Sequence, residues 1–443
     1  MSVAIWIGRN RSADGCAYLA GYGDEPSSHW LRIVDEPGSA RHACVEYSYF
    51  LGVPGTLTNG GVNVHGVAVR DVWSTSRDEL RAETPADRHG PTYSDLARAV
   101  LARARTAREG AALIGAMVDD SGDTSYGGNS HLVADADEAW VCIQFAGGRR
   151  LWCAERLGPD DIRVSRPGWI GRLEPADVAS GRAMCSSNFF PLARDRGWAA
   201  DDGFDVNATY GDGKGRWAGA AWLEERLGAL PKVGLHDLMA LLRSPRITGD
   251  TAGYGQVVPL PVGDVDPIVR QLWHAPIGPV AAPFLPVWLG VSSVPEEYRR
   301  HRYLTVGESH RFVDPRRSVA GDDDSLSTVP QGVESTRSAV ASFKRLLYLV
   351  LADHGRLLDE VARAWGARES ELAALAGATT RAAELLLGAG RRDDAVLLLT
   401  SVARSEMLRA LDDAEHLAAA WEILVRRDGL LGEGEFRGPD QIW

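Results

Sequence analysis

Met1-Ser-Val-Ala-Ile-Trp-Ile-Gly-Arg-Asn-Arg-Ser-Ala-Asp-Gly-Cys16 is the stretch on which the fold turns. Val3 to Ile7 is a run of apolar, largely β-forming residues, and Gly8, Asn10, Asp14 and Gly15 behind it are turn formers. The stretch therefore reads as a buried strand entering a hairpin. A chain end frays unless something ties it down, so an apolar strand beginning at Val3 is expected to hold the first residues inside the fold. Removal of Met1, which the small Ser2 side chain permits, leaves a hydroxyl and a free α-amine on one residue. An α-amine titrates near pH ~8 and can take the proton of its own hydroxyl, preparing that oxygen to attack a carbonyl. The plain alternative is that Ser2 is an ordinary residue behind the start of the chain.

Composition narrows the classes. The 443 residues are long for one core and fit a large domain with an appendage, or two domains. Hydrophobic content of 45% and charged content of 24% are those of a globular protein. The net charge of −12 argues against a phosphate-binding surface, so nucleic acid is not an expected partner. No apolar run approaches the ~20 residues of a membrane span and no signal-peptide pattern opens the chain, so neither membrane nor export is expected and a cytoplasmic location is. Cys16, Cys44, Cys142, Cys153 and Cys185 are scattered without C-x-x-C or zinc spacing, and the histidines form no H-E-x-x-H. Neither a metal nor another cofactor is expected.

Beyond the first hairpin, Trp30–Val34 and Ala43–Tyr47 read as strands. Thr58-Asn-Gly-Gly-Val-Asn-Val-His-Gly-Val-Ala-Val-Arg70 reads as a glycine-punctuated turn running into a strand. Such a turn either lets backbone approach a ligand or simply closes a hairpin. Ser94 caps an expected helix over 95–118, with Leu96, Ala99, Val100, Ala104 and Ala107 at helical spacing. Three segments, starting at His131, Glu138 and Leu151, are separated by short turns and predict an antiparallel meander. Prolines gather beyond Val257, and 314–331 reads as an exposed connection. Helices are expected over 338–354, 357–365, 370–387, 393–411 and 413–426, with Ala/Leu/Arg content suited to helix-on-helix packing.

Five segments taken together resemble a known family: Ile5-Trp-Ile-Gly with Ala13-Asp-Gly, Asn59-Gly-Gly-Val-Asn-Val-His-Gly-Val-Ala68, Arg103-Ala-Arg-Thr-Ala-Arg-Glu109, Ala134-Asp-Ala-Asp-Glu-Ala-Trp140 and Phe204-Asp-Val-Asn-Ala-Thr-Tyr-Gly-Asp212. In this order they resemble the dipeptidase/secernin family of N-terminal nucleophile hydrolases, and Val287-Trp-Leu-Gly-Val-Ser-Ser-Val-Pro295 with the helical C-terminus extends the likeness over nearly the whole chain. The resemblance implies an α+β fold, a four-layer αββα sandwich of two antiparallel sheets between helices. On this reading residues 1–330 form the catalytic unit and 331–443 a helical region packed on it, which could serve self-association into a homo-oligomer.

The resemblance also implies hydrolysis of an amide bond through an acyl-enzyme, with a small peptide or acyl-amide as substrate. The family nucleophile is a cysteine freed by processing, and Ser2 stands at the matching position, counted back from Gly8. The family's Arg-Asn-Glu-Asp stretch corresponds to Gly21-Tyr22-Gly23-Asp24, so the aspartate is kept and the arginine is not. Asp24 is then expected to orient the terminal ammonium or a substrate amine. Asn59 matches an asparagine able to donate to an oxyanion. Asn63, Asn129 and Arg166 are the substrate-binding candidates, Arg166 lying where a further family asparagine is expected. Two alternatives remain open: transfer of the acyl group to an amine in a specialised pathway, or a binding protein that has lost catalysis.

Overall fold

The computed structural model describes residues 2–23, 29–50, 53–86, 89–122, 127–199, 204–249, 252–299 and 337–428. In chain order the first part supplies β1 (Val3–Ile7), β2 (Ala17–Gly23), β3 (His29–Val34), β4 (His42–Phe50), β5 (Val53–Asn63) and β6 (Ala68–Trp73). Helices α1 (Asp78–Ala82), α2 (Tyr93–Arg103) and α3 (Ala107–Ser121) follow, then β7 (Asn129–Ala134), β8 (Ala139–Gln144), β9 (Trp152–Leu157) and β10 (Ile162–Ser165). The middle of the chain holds α4 (Pro175–Ala179), β11 (Ala183–Cys185), α5 (Phe189–Asp195), α6 (Val206–Tyr210), α7 (Ala218–Ala229) and α8 (Leu235–Leu242). It closes with β12 (Tyr254–Leu260), β13 (Gln271–Ala275), β14 (Leu285–Trp288) and the helices α9 (Ala339–Ala352), α10 (His354–Gly388) and α11 (Arg392–Arg427).

The strands form two antiparallel sheets. The first has the order β10-β1-β2-β12-β13-β14, and the second the order β11-β9-β8-β7-β6-β5-β4-β3. β1 is an interior strand, paired with β2 (Val3↔Tyr22 to Ile7↔Tyr18) and with β10 (Ala4↔Ser165 to Ile7↔Ile162), and all five of its residues are buried. That explains its unbroken apolar run: both of its faces are covered. β1 and β2 pack on β6 and β7 of the second sheet, α2 and α3 cover the far side of that sheet, and α7, α8, α10 and α11 lie against the first. The α+β, four-layer αββα arrangement is the one expected, with a helical C-terminal region beside it.

Helix lengths depart from the sequence reading. The helix expected over 95–118 is two helices, because the backbone turns extended at Ala104 and Thr106 caps a new start, accepting from the Glu109 backbone N–H. The first of the pair is held by a capping box between Thr92 and Asp95 rather than by Ser94. Conversely, the four helices expected over 357–426 are two long ones, since no proline interrupts either run and Gly366 is tolerated inside α10. Asn59, expected in a turn, lies inside β5 at an irregularity of the β4–β5 ladder, between the pairs Glu46↔Thr58 and Val45↔Gly60.

The C-terminal helices are joined to the first sheet through polar contacts as well as apolar ones. Glu369 of α10 is buried, pairs with Arg243 and accepts from the Phe284 backbone N–H at 2.8 Å. Thr380 accepts from the indole of Trp288 at 2.9 Å and from Gln271 at 2.8 Å. Among the described residues no helix is long and apolar enough to cross a membrane, and no cluster of three or more His, Cys, Asp or Glu could hold a metal ion.

Candidate functional site

Strand alternation decides which side chains meet. Ala4 pairs with Gly21 and Gly21 with Gln256, and Gln256 is bonded to Arg70 of the opposite sheet, so this row looks into the gap between the sheets. Ser2 lies two residues before Ala4 and faces the same way; it is buried, 8% exposed. Extending the ladder by one step sets Ser2 beside Gly23, which pairs with Tyr254. Positions 21 and 23 carry no side chain, so nothing from β2 stands between Ser2 and Tyr254. Two strand spacings separate them, about 10 Å.

Gly21 has no room for a side chain. With φ at +150° a side chain there would put its Cβ 1.9 Å from the Val3 carbonyl oxygen and 3.0 Å from the Arg70 Cδ. The space above the position where the resemblance implies an arginine is thus filled by an arginine from β6.

Arg70 is 2% exposed. Its guanidinium donates to the Tyr254 hydroxyl at 3.3 Å and to Gln256 Oε1 at 2.7 Å, and it lies 5.4 Å from the Tyr254 ring centre. His29 and His274 flank the same tyrosine, with ring centres 5.3 Å and 6.4 Å away. Burial, reinforced by His29 and Arg70, pushes the His274 imidazole down to about 3, so it is neutral at physiological pH. Two hydroxyls complete this inner face. Ser165, paired with Ala4, and Ser130, paired with Val72, are both fully buried, and neither Oγ has a hydrogen-bond partner.

The other candidates lie elsewhere. Asp71, next along β6, points to the α2 side, where both its oxygens are used: the Asn59 amide donates at 3.3 Å and the Asn129 amide at 2.6 Å. His131 Nε2 stands 3.9 Å from the same carboxylate and 2.9 Å from the Tyr93 carbonyl. The side chains of Asn59 and Asn129 are therefore brought together, but on the face of the second sheet turned away from Ser2. Asn63 is a structural residue: its amide donates to the Leu101 and Ala104 carbonyls at 3.1 and 2.8 Å, closing the end of α2, and its oxygen accepts from the His65 and Val67 backbone. It has no group left for a substrate. Arg166 stacks 3.8 Å from the Trp217 ring centre and donates to the Tyr22 hydroxyl. Tyr22 pairs with Val3 and so belongs to the helix-covered face of the first sheet, opposite to the Ser2 row. Asp24 lies outside the described residues.

Arg70 itself was not singled out from the sequence. The signal was present as an Arg-Asp pair between Val69 and Val72, two opposite charges inside an otherwise apolar strand. Apart from the Ser2 face, a cleft of about 490 Å³ opens beside β3, lined by Trp30, Arg32, Glu46, Ser292, Val294 and Arg299 among others. Glu46 there accepts from the Trp30 indole at 3.1 Å and from Arg32 at 2.8 Å, which uses its carboxylate structurally.

Residues 44–216 match the family model of Peptidase family C69. The stretch runs from β4 to the segment before α7, so it contains Asn59, Arg70, Asn129 and Arg166 and leaves out Ser2. The probable dipeptidase A of Streptococcus pyogenes serotype M3 (strain SSI-1) is 31% identical over 189 residues, 38% of this chain and 40% of that protein. The corresponding protein of serotype M1 is 31% identical, again over 38% of this chain and 39% of its own length. The chain thus spans about two fifths of the length of these curated relatives. Among solved structures, a variant of the conjugated bile acid hydrolase of Clostridium perfringens is similar over 62% of this chain and 89% of its own, at 9% identity and a TM-score of 0.32. A second mutant of that hydrolase aligns over 62% and 88%, at 10% identity and a TM-score of 0.28.

Proposed function

We propose that the protein is an amide-bond hydrolase acting on small peptides, with Ser2 as an N-terminal nucleophile once Met1 has been removed. The observation that carries this reading is the position of Ser2: buried at the head of an interior strand, on the face turned to the second sheet, beside two positions without side chains. The match to Peptidase family C69 and the likeness to the dipeptidases support the class of bond. Five free thiols among the described residues suit a reducing cytoplasm as the site of action.

In the reaction the Ser2 α-amine takes the proton of its own hydroxyl, and Oγ bonds to the carbonyl carbon of the substrate amide. The carbonyl electron pair moves onto oxygen, giving a tetrahedral oxyanion. The buried hydroxyls of Ser165 and Ser130 and backbone N–H groups are the donors we assign to it. Asn59, held on Asp71, is not among them. Collapse breaks the C–N bond, and the ammonium returns its proton to the leaving amine. A water molecule, deprotonated by the same α-amine, then cleaves the ester. Asp24, one residue beyond β2, keeps the expected role of holding the terminal ammonium.

The test compares processed protein, protein retaining Met1, and Ser2→Ala on a panel of dipeptides. Turnover by the processed form should fall at least roughly a thousandfold in either other form, because both lack the base or the nucleophile. A reactive neutral acyl ester should add one acyl mass to the processed protein alone. Ser2→Cys should keep that adduct. Equal rates in processed wild type and Ser2→Ala would remove Ser2 from the chemistry. Release of the acyl group to added amines rather than to water would favour acyl transfer.

A further inference from the structure

The reaction just described leaves one buried charge of the inner face unused. Arg70 is held by a phenol and an amide oxygen, and among the described residues no carboxylate pairs with it. Taking a guanidinium out of water costs several kcal/mol unless an anion or a full set of acceptors compensates. Beside it, Gln256 Nε2 and His274 Nδ1 are buried without a hydrogen-bond partner. The Gln256 amide accepts from Arg70 through its oxygen, so its N–H donors remain for something else. A planar guanidinium next to an amide N–H₂ is a set of donors suited to the two oxygens of a carboxylate.

The span fits one chemical class. The carbon under attack sits about 3 Å from the nucleophilic oxygen. In a dipeptide the terminal carboxylate lies one residue further on, about 3.8 Å, and a charge-assisted bond adds about 2.8 Å. The sum is about 10 Å, and Arg70 is placed within that reach: its Cδ stands 3.0 Å from the Cβ position of Gly21, on the strand next to that of Ser2, and its guanidinium extends to the hydroxyl of Tyr254 on the strand beyond. The bare backbone at Gly21 and Gly23 leaves that path clear of β2 side chains.

We propose that Arg70, with Gln256, binds the free α-carboxylate of the substrate's leaving residue, so that the site takes peptides ending one residue beyond the cleaved bond. The assignment rests on the Ser2 reading for which bond is cleaved, and it adds the group that measures the substrate's length. Neutral-ended peptides and longer chains lose this contact, the latter because their carboxylate falls beyond the guanidinium.

The experiment measures binding rather than turnover. Full-length Ser2→Ala protein is titrated calorimetrically with a dipeptide whose scissile amide is reduced to CH₂–NH, and with the same compound ending in a carboxamide. The free acid should bind at least tenfold more tightly. Adding Arg70→Gln should bring the two within twofold, and Arg70→Lys should give an intermediate ratio, since it keeps the charge and loses the fork. Gln256→Leu should shrink the preference severalfold and serves, with Arg70→Lys, if the glutamine variant does not fold. An undiminished preference in the folded variants, or no preference in the parent, overturns the proposal. Failure of the nucleophile assignment shows separately, as the absence of an acyl adduct on processed wild type, and leaves this binding measurement intact.

Discussion

Arg70 and Asp71 are adjacent on β6, equally interior, and face opposite layers, and their surroundings differ in kind. Asp71 looks toward α2, and each carboxylate oxygen receives an amide N–H from a neighbouring strand, Asn59 on one side and Asn129 on the other. Arg70 looks toward the first sheet, where its partners are neutral and several adjacent polar atoms are left without a bond. A saturated buried charge is a structural device that fixes register among β5, β6 and β7. A buried charge among unsatisfied donors is a place prepared for a ligand. The same strand therefore separates a support on its outer face from a site on its inner face.

The largest expected effect falls on the support. Asp71→Ala strands two buried amides that had an anionic acceptor and should cost roughly 3–5 kcal/mol in urea unfolding, with Asp71→Asn, which keeps the shape and one acceptor, near half of that. A loss below about 1 kcal/mol in both would show that the asparagines find other partners and would dissolve the distinction between the faces. Next comes Gly21→Ala on the inner face. Its Cβ would meet the Val3 carbonyl oxygen at 1.9 Å in a backbone conformation with φ at +150°, so β1 must move away from β2. A destabilisation of roughly 2–4 kcal/mol is expected, together with loss of turnover, because the strand that shifts is the one carrying Ser2.

The outer face also has a pH signature. Burial pushes the His131 imidazole down to about 4, so the ring is neutral near pH 7. The Tyr93 carbonyl can only accept, so the single proton of the neutral ring is assigned to Nε2, and the Gln144 amide, whose Oε1 stands 3.1 Å from Nδ1, has to turn over to offer its N–H₂ to that nitrogen. The unfolded chain protonates this histidine near pH ~6.5 while the native state does not until about 4, so the unfolded state binds more protons in between. Stability should therefore fall as pH drops from about 6.5 to 4, by up to roughly 3 kcal/mol from this group, and level off below. His274, pushed down to about 3, adds a fall in the same direction that continues to lower pH. Melting curves across that range should flatten in His131→Gln, and an unchanged slope would assign the loss to other groups.

What the sequence made legible follows the same division. The interior position of β1 could be read from five apolar residues followed by turn formers, and the meander of β7, β8 and β9 from alternation between short turns. Helix boundaries at Ala104 and within 357–426 were not readable, because they depend on tertiary contacts such as the Asn63 amide closing the end of α2. For the polar residues of the strands, a period of two separates the faces without saying which face meets the other sheet. Asn59 and Asn129 were thus identifiable as buried polar groups and not as partners of Asp71. Arg70 escaped because a single arginine between valines carries no motif, and its meaning comes from Tyr254 and Gln256, nearly two hundred residues away in the chain.

The smallest expected effect is the one that most sharpens the comparison. Arg70→Met fills the stem of the side chain, removes the buried charge, and leaves Gln256 and Tyr254 each missing one hydrogen bond. Replacing a buried charge by an apolar residue of similar volume is often neutral or stabilising, since the desolvation cost disappears along with the bonds. With neutral partners and no ion pair to break among the described residues, stability should change by no more than about 1 kcal/mol, against the several expected for Asp71→Ala. The neighbouring substitutions, one residue apart on one strand, would then differ because one charge is used by the fold and the other is kept for a ligand. If Arg70→Met costs as much as Asp71→Ala, the guanidinium holds the two sheets together and the inner face is as structural as the outer one.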